Sequence, residues 1–485
     1  MVDIVRIEKV NEVYLKVNAE AGVLMEMSGY FEFDVPGAKF SPAYRNKVWD
    51  GKIRLLNVMT RLLYAGLLPY VISFCSDRGY KCEISEDFKP VNAYGAESGY
   101  AISKLLKTKF ELRDYQNEAF VEALNSERKL LLSPTGSGKS FIIYLLTQWH
   151  IAQGRRVVII VPTTSLVHQM ASDFVEYNND KPMDIHKIMA GAEKDIENKI
   201  VITTWQSIYK LKKTWFDSYD VVVGDECHLF KAKSLTSIMT KLEDCKYRYG
   251  FTGTLDGTQT HKLVLEGLFG PVKKVITTAE LMNKEVLADL RIKGIVLEHT
   301  KEIRKLMAGK TYQEEMDFIV GFEPRNKFIC NLAKSLKGNT LILFQYVDKH
   351  GKVLYPMLQK MNKEVYFVHG GVNASIREDI RKIVENSNDS IILASYGTFS
   401  TGINIRNLHN VLFASSGKSR IRNLQSIGRS LRLHESKEVA TLYDLVDDLS
   451  RGKSKNFALK HFMERIDTYS KEGFSFKLYN VALKG

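Results

Sequence analysis

From about residue 104 the chain alternates short apolar, β-branched runs with amphipathic stretches of helix length, and this pattern constrains the fold more than any other feature. KLLLS leads into 139–152 and VVIIVP into 165–176, and IVITT, DVVVGDE and YRYGFTGT follow. A strand that is apolar on both faces belongs inside a covered sheet, and strands separated by helices pair in parallel. A charged segment, 298–326, interrupts the pattern, which resumes in TLILFQY, EVYFVHG, SIILAS, NVLFAS and ATLYDLV. The expected fold class is therefore α/β, with two parallel-sheet domains in tandem.

Residues 1–100 read differently. Short alternating segments (VYLKV, YFEFDV, KIRLL) and turns such as VPGAKF indicate a small α+β domain. The division expected is 1–100 for that domain, 101–298 and 299–450 for the two sheets, and 451–485 for a short, basic, helical C-terminal segment. A chain of 485 residues is too long for one core, since single cores stop growing near ~250–300 residues.

Composition narrows the class. No apolar run reaches the ~20 residues needed to cross a bilayer, and MVDIVRIEKV is not a secretory signal, so a cytoplasmic protein is expected. The cysteines (Cys75, Cys82, Cys227, Cys245, Cys330) form no CxxC pair, which excludes a zinc cluster of that kind and leads us to expect free thiols. A formal net charge of +13 favours a polyanionic partner.

SPTGSGKS, residues 133–140, lies between LLL and FIIYLL. The strict GxxxxGK[ST] pattern is not met, because its earlier glycine is missing, but the shorter PTGSGKS keeps the chemistry. Thr135, Gly136, Ser137 and Gly138 would curl backbone N–H groups round a phosphate at the positive end of the next helix. Lys139 would reach the β/γ-phosphates of ATP and Ser140 would ligate Mg²⁺. A plain Gly/Ser turn is the alternative. In VVVGDECH, Asp225 and Glu226 follow a buried strand, at the end of an α/β sheet where ligands bind. Asp225 would hold Mg²⁺ and Glu226 would polarise the attacking water; an acidic helix cap is the other reading of the pair.

DECH, between PTGSGKS and the TGT of 252–254, resembles the DExH or DEAD motif of superfamily 2 helicases and translocases. The resemblance implies two RecA-like domains. It makes Gln116 and Arg113 of FELRDYQNEA contacts to the adenine. It makes Thr163 and Thr164 of VPTTSLVHQM, Thr204 and Gln206 of TTWQS, and Ser395 and Thr398 of ASYGTFSTGINI contacts to a nucleic-acid backbone. TGT looks like the motif that couples hydrolysis to domain movement. Gly402 would join the nucleotide site, with Asn404 standing where many members carry Asp. QSIGRSLR resembles the sixth motif, so Gln425, Arg429 and Arg432, on one helical face, would complete a catalytic site when the two domains close on ATP.

The flanks narrow the family. GAKFSPAYRNKVWDGKIRLLN (37–57), GKTYQEE and VVVGDECHL are similar to phage recombination helicases of the UvsW type. That likeness implies an ATP-dependent motor acting in the bacterial host cytoplasm on branched or duplex DNA. Its tasks would be fork regression, Holliday-junction migration, and dissociation of D-loops or R-loops, with an RNA–DNA hybrid among its partners. Lys47, Trp49, Lys52 and Arg54, with Lys39, Arg45, Phe40 and Tyr44, offer cations for phosphates and rings for bases; Trp49 and Phe40 also suit the core of a small domain. In the tail, Lys453, Lys455, Lys460 and Arg465 fit either an extension of this surface or a solvated helix face. A restriction-type duplex translocase, an RNA helicase and a nucleotide-gated clamp on branched DNA remain open at the level of sequence, and so does the oligomeric state.

Overall fold

A computed structural model of the chain describes residues 3–35, 37–88, 93–189, 191–194, 197–255, 261–286, 289–360, 363–398, 405, 407–415, 439–452 and 454–483. Two compact units divide between Val275 and Ile276, the tetrapeptide Pro134–Ser137 standing apart from the first.

The first unit is built on a seven-stranded parallel sheet. Its order is Val272–Lys274, Arg128–Leu132, Tyr247–Thr252, Val221–Gly224, Val157–Val161, Ile200–Thr204, Ile185–Ile188. Val157–Val161, Ile200–Thr204 and Val221–Gly224 are buried along their whole length, as continuous apolar runs require when helices cover both faces.

A four-stranded N-terminal sheet (Leu62–Tyr64, Tyr14–Asn18, Ile4–Lys9, Lys81–Ile84) belongs to the same unit. Alternation places Val5, Ile7, Leu15 and Val17 on one face, under helices Ala21–Tyr30 and Leu68–Arg78. This small domain is pressed against helix Lys262–Phe269 at two glycines. A Cβ on Gly66 would lie 2.1 Å from the Glu266 carbonyl oxygen, and one on Gly267 would lie 2.8 Å from Tyr64 Cβ. Around them, the Tyr70 hydroxyl donates to Glu266 Oε2 at 2.8 Å, Arg128 pairs with Glu12 at 2.8 Å, and the Phe33 ring stacks on His261 at 3.8 Å.

The second unit holds another seven-stranded parallel sheet: Val365–Val368, Ile391–Ser395, Thr340–Phe344, Asn410–Phe413, Val439–Asp448, Asp289–Glu298, Phe476–Ala482. Strand Asp289–Glu298 pairs along its full length with Val439–Asp448. The sequence-based boundary at 298/299 is thereby corrected, since 289–298 lies inside the second sheet, one strand in from its edge. The charged stretch after it forms helices Lys301–Leu306, Tyr312–Gly321 and Glu323–Ser335.

The C-terminal segment contains the expected helix, Phe457–Lys471, followed by an edge strand, Phe476–Ala482. Arg465 is not on a basic surface. It is 4% exposed and forks onto Asp444, with Nε and Nη2 each 2.8 Å from a carboxylate oxygen, and Tyr469 donates to the same group at 2.8 Å. Beside it Asp447 accepts from Arg325 at 2.7 Å and lies 2.9 Å from His299 Nε2.

Two outcomes test this packing. Gly66→Ala should destabilise the first unit by about 1–3 kcal/mol, read as a lower melting temperature and earlier release of the N-terminal sheet by protease. Arg465→Met leaves Asp444 buried without its cation and should lower the stability of the second unit by about 3–5 kcal/mol, measured by denaturant unfolding.

Candidate nucleotide and nucleic-acid site

Strand Arg128–Leu132 ends at Ser133, and helix Lys139–Ala152 begins six residues later. The intervening loop turns through Gly136 (φ 87°) and Gly138 (φ 83°), both in the left-handed region that favours glycine. At Gly138 space adds a second demand, because a Cβ there would come within 2.3 Å of Gln116 Nε2. Gln116 is buried, and its Oε1 accepts from the Arg113 N–H at 3.1 Å, so FELRDYQ is fixed against the loop. The Arg113 guanidinium donates to the Tyr115 hydroxyl at 3.2 Å. Ser137 closes the loop by donating from Oγ to the Pro134 carbonyl at 2.8 Å.

Parallel pairing delivers the acidic residues to the same end of the sheet. Val221–Gly224 pairs with Val157–Val161 and Tyr247–Thr252, and the Asp225 N–H then donates to the Ile160 carbonyl at 2.9 Å. Glu226 turns into the left-handed region at φ 47° while its N–H donates to Asp225 Oδ1 at 3.0 Å. Lys139 Nζ donates to the Ser133 carbonyl at 3.1 Å and lies 3.4 Å from Glu226 Oε1. Burial, with the Glu226 charge adding to it, pushes the Asp225 carboxyl up to about 7, and Lys139 acts in the opposite sense. The two crowded carboxylates are oxygen ligands of the kind a divalent cation takes, and the Lys139 ammonium offsets part of their charge without being a ligand itself.

His228 is a site residue that the motif reading quoted in DECH without giving it a role. Its Nδ1 is 2.6 Å from Thr252 Oγ1 and 3.5 Å from Glu226 Oε2. Thr252 donates its one hydroxyl proton to the Thr254 carbonyl at 2.7 Å, so the histidine Nδ1 carries the hydrogen. One side chain thus ties the acidic motif to TGT.

The strand-end loops read as nucleic-acid contacts lie side by side, since Thr204 pairs in register with Val161 and Gln206 Nε2 donates to the Pro162 carbonyl at 3.2 Å. Thr164 is exposed. Thr163 Oγ1 caps the helix Thr164–Tyr177 by accepting from Leu166 N–H, and Thr204 Oγ1 lies 2.9 Å from Ser207 Oγ. In the second unit Ser395 and Thr398 are buried with their hydroxyls 2.8 Å apart. In each such pair one hydroxyl proton is used, so the loops keep a hydroxyl proton beside their backbone N–H groups.

In the N-terminal region Lys47 is exposed, and the Trp49 indole donates to the Lys52 carbonyl at 2.8 Å, bracing the hairpin of Glu32–Asp34 and Lys52–Arg54. Lys52 pairs with Glu32, and Arg54 lies 2.7 Å from Asp50 and 3.1 Å from Glu32. These two cations therefore have carboxylate partners within the hairpin, while Phe40 stands 67% exposed beside Lys39 and Arg45. Gly402, Asn404, Gln425, Arg429 and Arg432 lie outside the described residues, as does Lys453.

Comparison with known proteins agrees with this layout. Residues 5–85 match the family described as DNA helicase UvsW, N-terminal; 109–257 match Type III restriction enzyme, res subunit; 324–434 match Helicase conserved C-terminal domain. The chain is 36% identical to the ATP-dependent DNA helicase uvsW of Enterobacteria phage T4, over 97% of this chain and 98% of that protein. It is 29% identical to the DNA 3'-5' translocase XPB2 of Sulfurisphaera tokodaii over 42% of this chain and 44% of that protein. The crystal structure of T4 UvsW superposes with a TM-score of 0.52 at 34% identity, covering 99% of this chain and all of that one.

Replacing Glu226 by Gln keeps its shape and removes the carboxylate read as polarising the attacking water. Steady-state ATP hydrolysis should fall by about 10²–10⁴-fold while nucleotide binding, followed by calorimetry, persists.

Proposed function

The chain belongs to the UvsW family of helicases, and on that premise we propose that it is an ATP-driven superfamily 2 motor that remodels branched DNA in phage recombination, repair and replication. The observation that carries this reading is the match to UvsW over almost the whole chain, N-terminal sheet included. Fork regression, migration of four-way junctions and dissociation of D-loops or R-loops are the reactions that follow, in the host cytoplasm. Among the described residues no helix is long and apolar enough to cross a membrane.

The site's chemistry supports hydrolysis. Lys139 and the N–H groups of 135–139 hold the β- and γ-phosphates, Gln116 and Arg113 hold the adenine, and Glu226 polarises the attacking water beside His228, which Thr252 holds in place. Mg²⁺ would be held by Ser140 and Asp225 and would offset charge on the phosphates. Gln425, Arg429, Arg432 and Gly402 join the nucleotide site on the strength of their motifs. DNA is gripped through its backbone by the loops at 163–164, 204–206 and 395–398 and by the hairpin, where Lys47 is exposed and Lys52, Arg54 and Trp49 reach DNA by exchanging their partners within the hairpin, so that binding depends on salt more than on sequence. A second reading, translocation on duplex DNA without strand separation, draws on the restriction-type family match of residues 109–257.

Processing of a synthetic four-way DNA junction, beside a 3′-tailed duplex and an RNA duplex, separates these readings. Junction processing should require ATP and vanish in Lys139→Ala; DNA-stimulated hydrolysis with no strand movement would favour the second reading. Charge reversal at Arg45 and Lys47 should weaken junction binding and leave DNA-free ATPase unchanged. The logarithmic salt dependence of that binding should flatten by roughly 0.9 for each DNA phosphate that is no longer neutralised.

A further inference from the structure

The Ser140 hydroxyl, read above as a metal ligand, already has a partner. Its Oγ lies 2.7 Å from the hydroxyl of Tyr177, the last residue of helix Thr164–Tyr177. That ring is held from three sides, by Phe141 at 5.1 Å, Tyr144 at 5.6 Å and Phe110 at 5.9 Å between centroids. Its backbone carbonyl accepts from the Lys109 N–H at 3.0 Å, just ahead of FELRDYQ. The position of the phenolic oxygen is therefore set by packing and does not depend on Ser140.

We propose that Tyr177 is a positioning residue for Ser140, accepting the serine proton so that the oxygen lone pairs stay directed at the cation. A hydroxyl has one proton and two lone pairs; when a lone pair ligates a metal, the O–H becomes a stronger donor and needs an acceptor. Partners of this kind fix a ligand's orientation, and removing them costs about 10–100-fold in metal affinity. The inference rests on the reading of Ser140 as a Mg²⁺ ligand, and nothing in the phosphate-loop motif specifies a tyrosine 37 residues further on.

The test uses the full chain, with ADP binding followed by calorimetry in EDTA and at stepped Mg²⁺ concentrations. Tyr177→Phe keeps the ring contacts and removes the hydroxyl. It should raise the Mg²⁺ midpoint by about 10-fold or more and leave ADP affinity in EDTA unchanged. Ser140→Ala should raise the midpoint at least as far, and the double variant no further than Ser140→Ala alone. A wild-type midpoint in Tyr177→Phe, with Ser140→Ala impaired, would overturn the role of Tyr177 and leave Ser140 as the ligand. A wild-type midpoint in Ser140→Ala would overturn the ligand assignment and the inference with it.

Discussion

The ammonium of Lys139 holds together the charge arrangement on which the rest of the first unit depends. Asp225 and Glu226 stand at the end of a strand buried on both faces, where a lone carboxylate is costly. Lys139 lies against Glu226 and is itself anchored to the Ser133 carbonyl, so one cation bridges the phosphate-loop strand and the acidic strand. The sheet order explains why this works. Tyr247–Thr252 lies between those two strands, bringing Thr252 to the same end, where it meets His228. A site assembled from three parallel strand ends inherits the rigidity of the sheet, and the loops only have to turn.

The N-terminal sheet is fastened to that body by close backbone approach, stacking and an ion pair between Arg128 and Glu12. Its attachment runs through helix Lys262–Phe269, which follows the TGT strand in the chain, and through His261 at the head of that helix. The hairpin carrying Lys52 and Arg54 thus touches, through Phe33, the residue that heads this helix. Helix Thr164–Tyr177 makes a similar span on its own, with Thr163 capping one end, at the loop proposed to meet nucleic acid, and Tyr177 against Ser140 at the other.

Much of this is legible in the sequence wherever the signal is local. VVIIV, IVITT and VVVG are strands because their residues are apolar on both faces, and PTGSGKS announces its own turn. Residues whose role is set by distant partners are less legible. RIKGIVLE looks like the end of the first sheet because its neighbours in the second, Val439–Asp448 and Phe476–Ala482, lie far along the chain. Arg465 looks solvated because composition counts its charge and is silent on Asp444, and Lys52 and Arg54 look available because nothing in the sequence sets Glu32 and Asp50 opposite them. Tyr177 carries no motif at all; only packing brings it to Ser140.

The pairing of Asp289–Glu298 with Phe476–Ala482 bears on how the protein is made. A parallel ladder between segments so far apart is among the least local contacts a chain can form, and such contacts close slowly. On the ribosome the first unit has all its strands long before this ladder can exist, because domains fold as units in order of synthesis. Until then Asp289–Glu298 presents an unpaired strand edge, which is where a nascent chain is most exposed to pairing with the wrong partner. The ATPase core is thus assembled early, and the sheet that must work with it is sealed last.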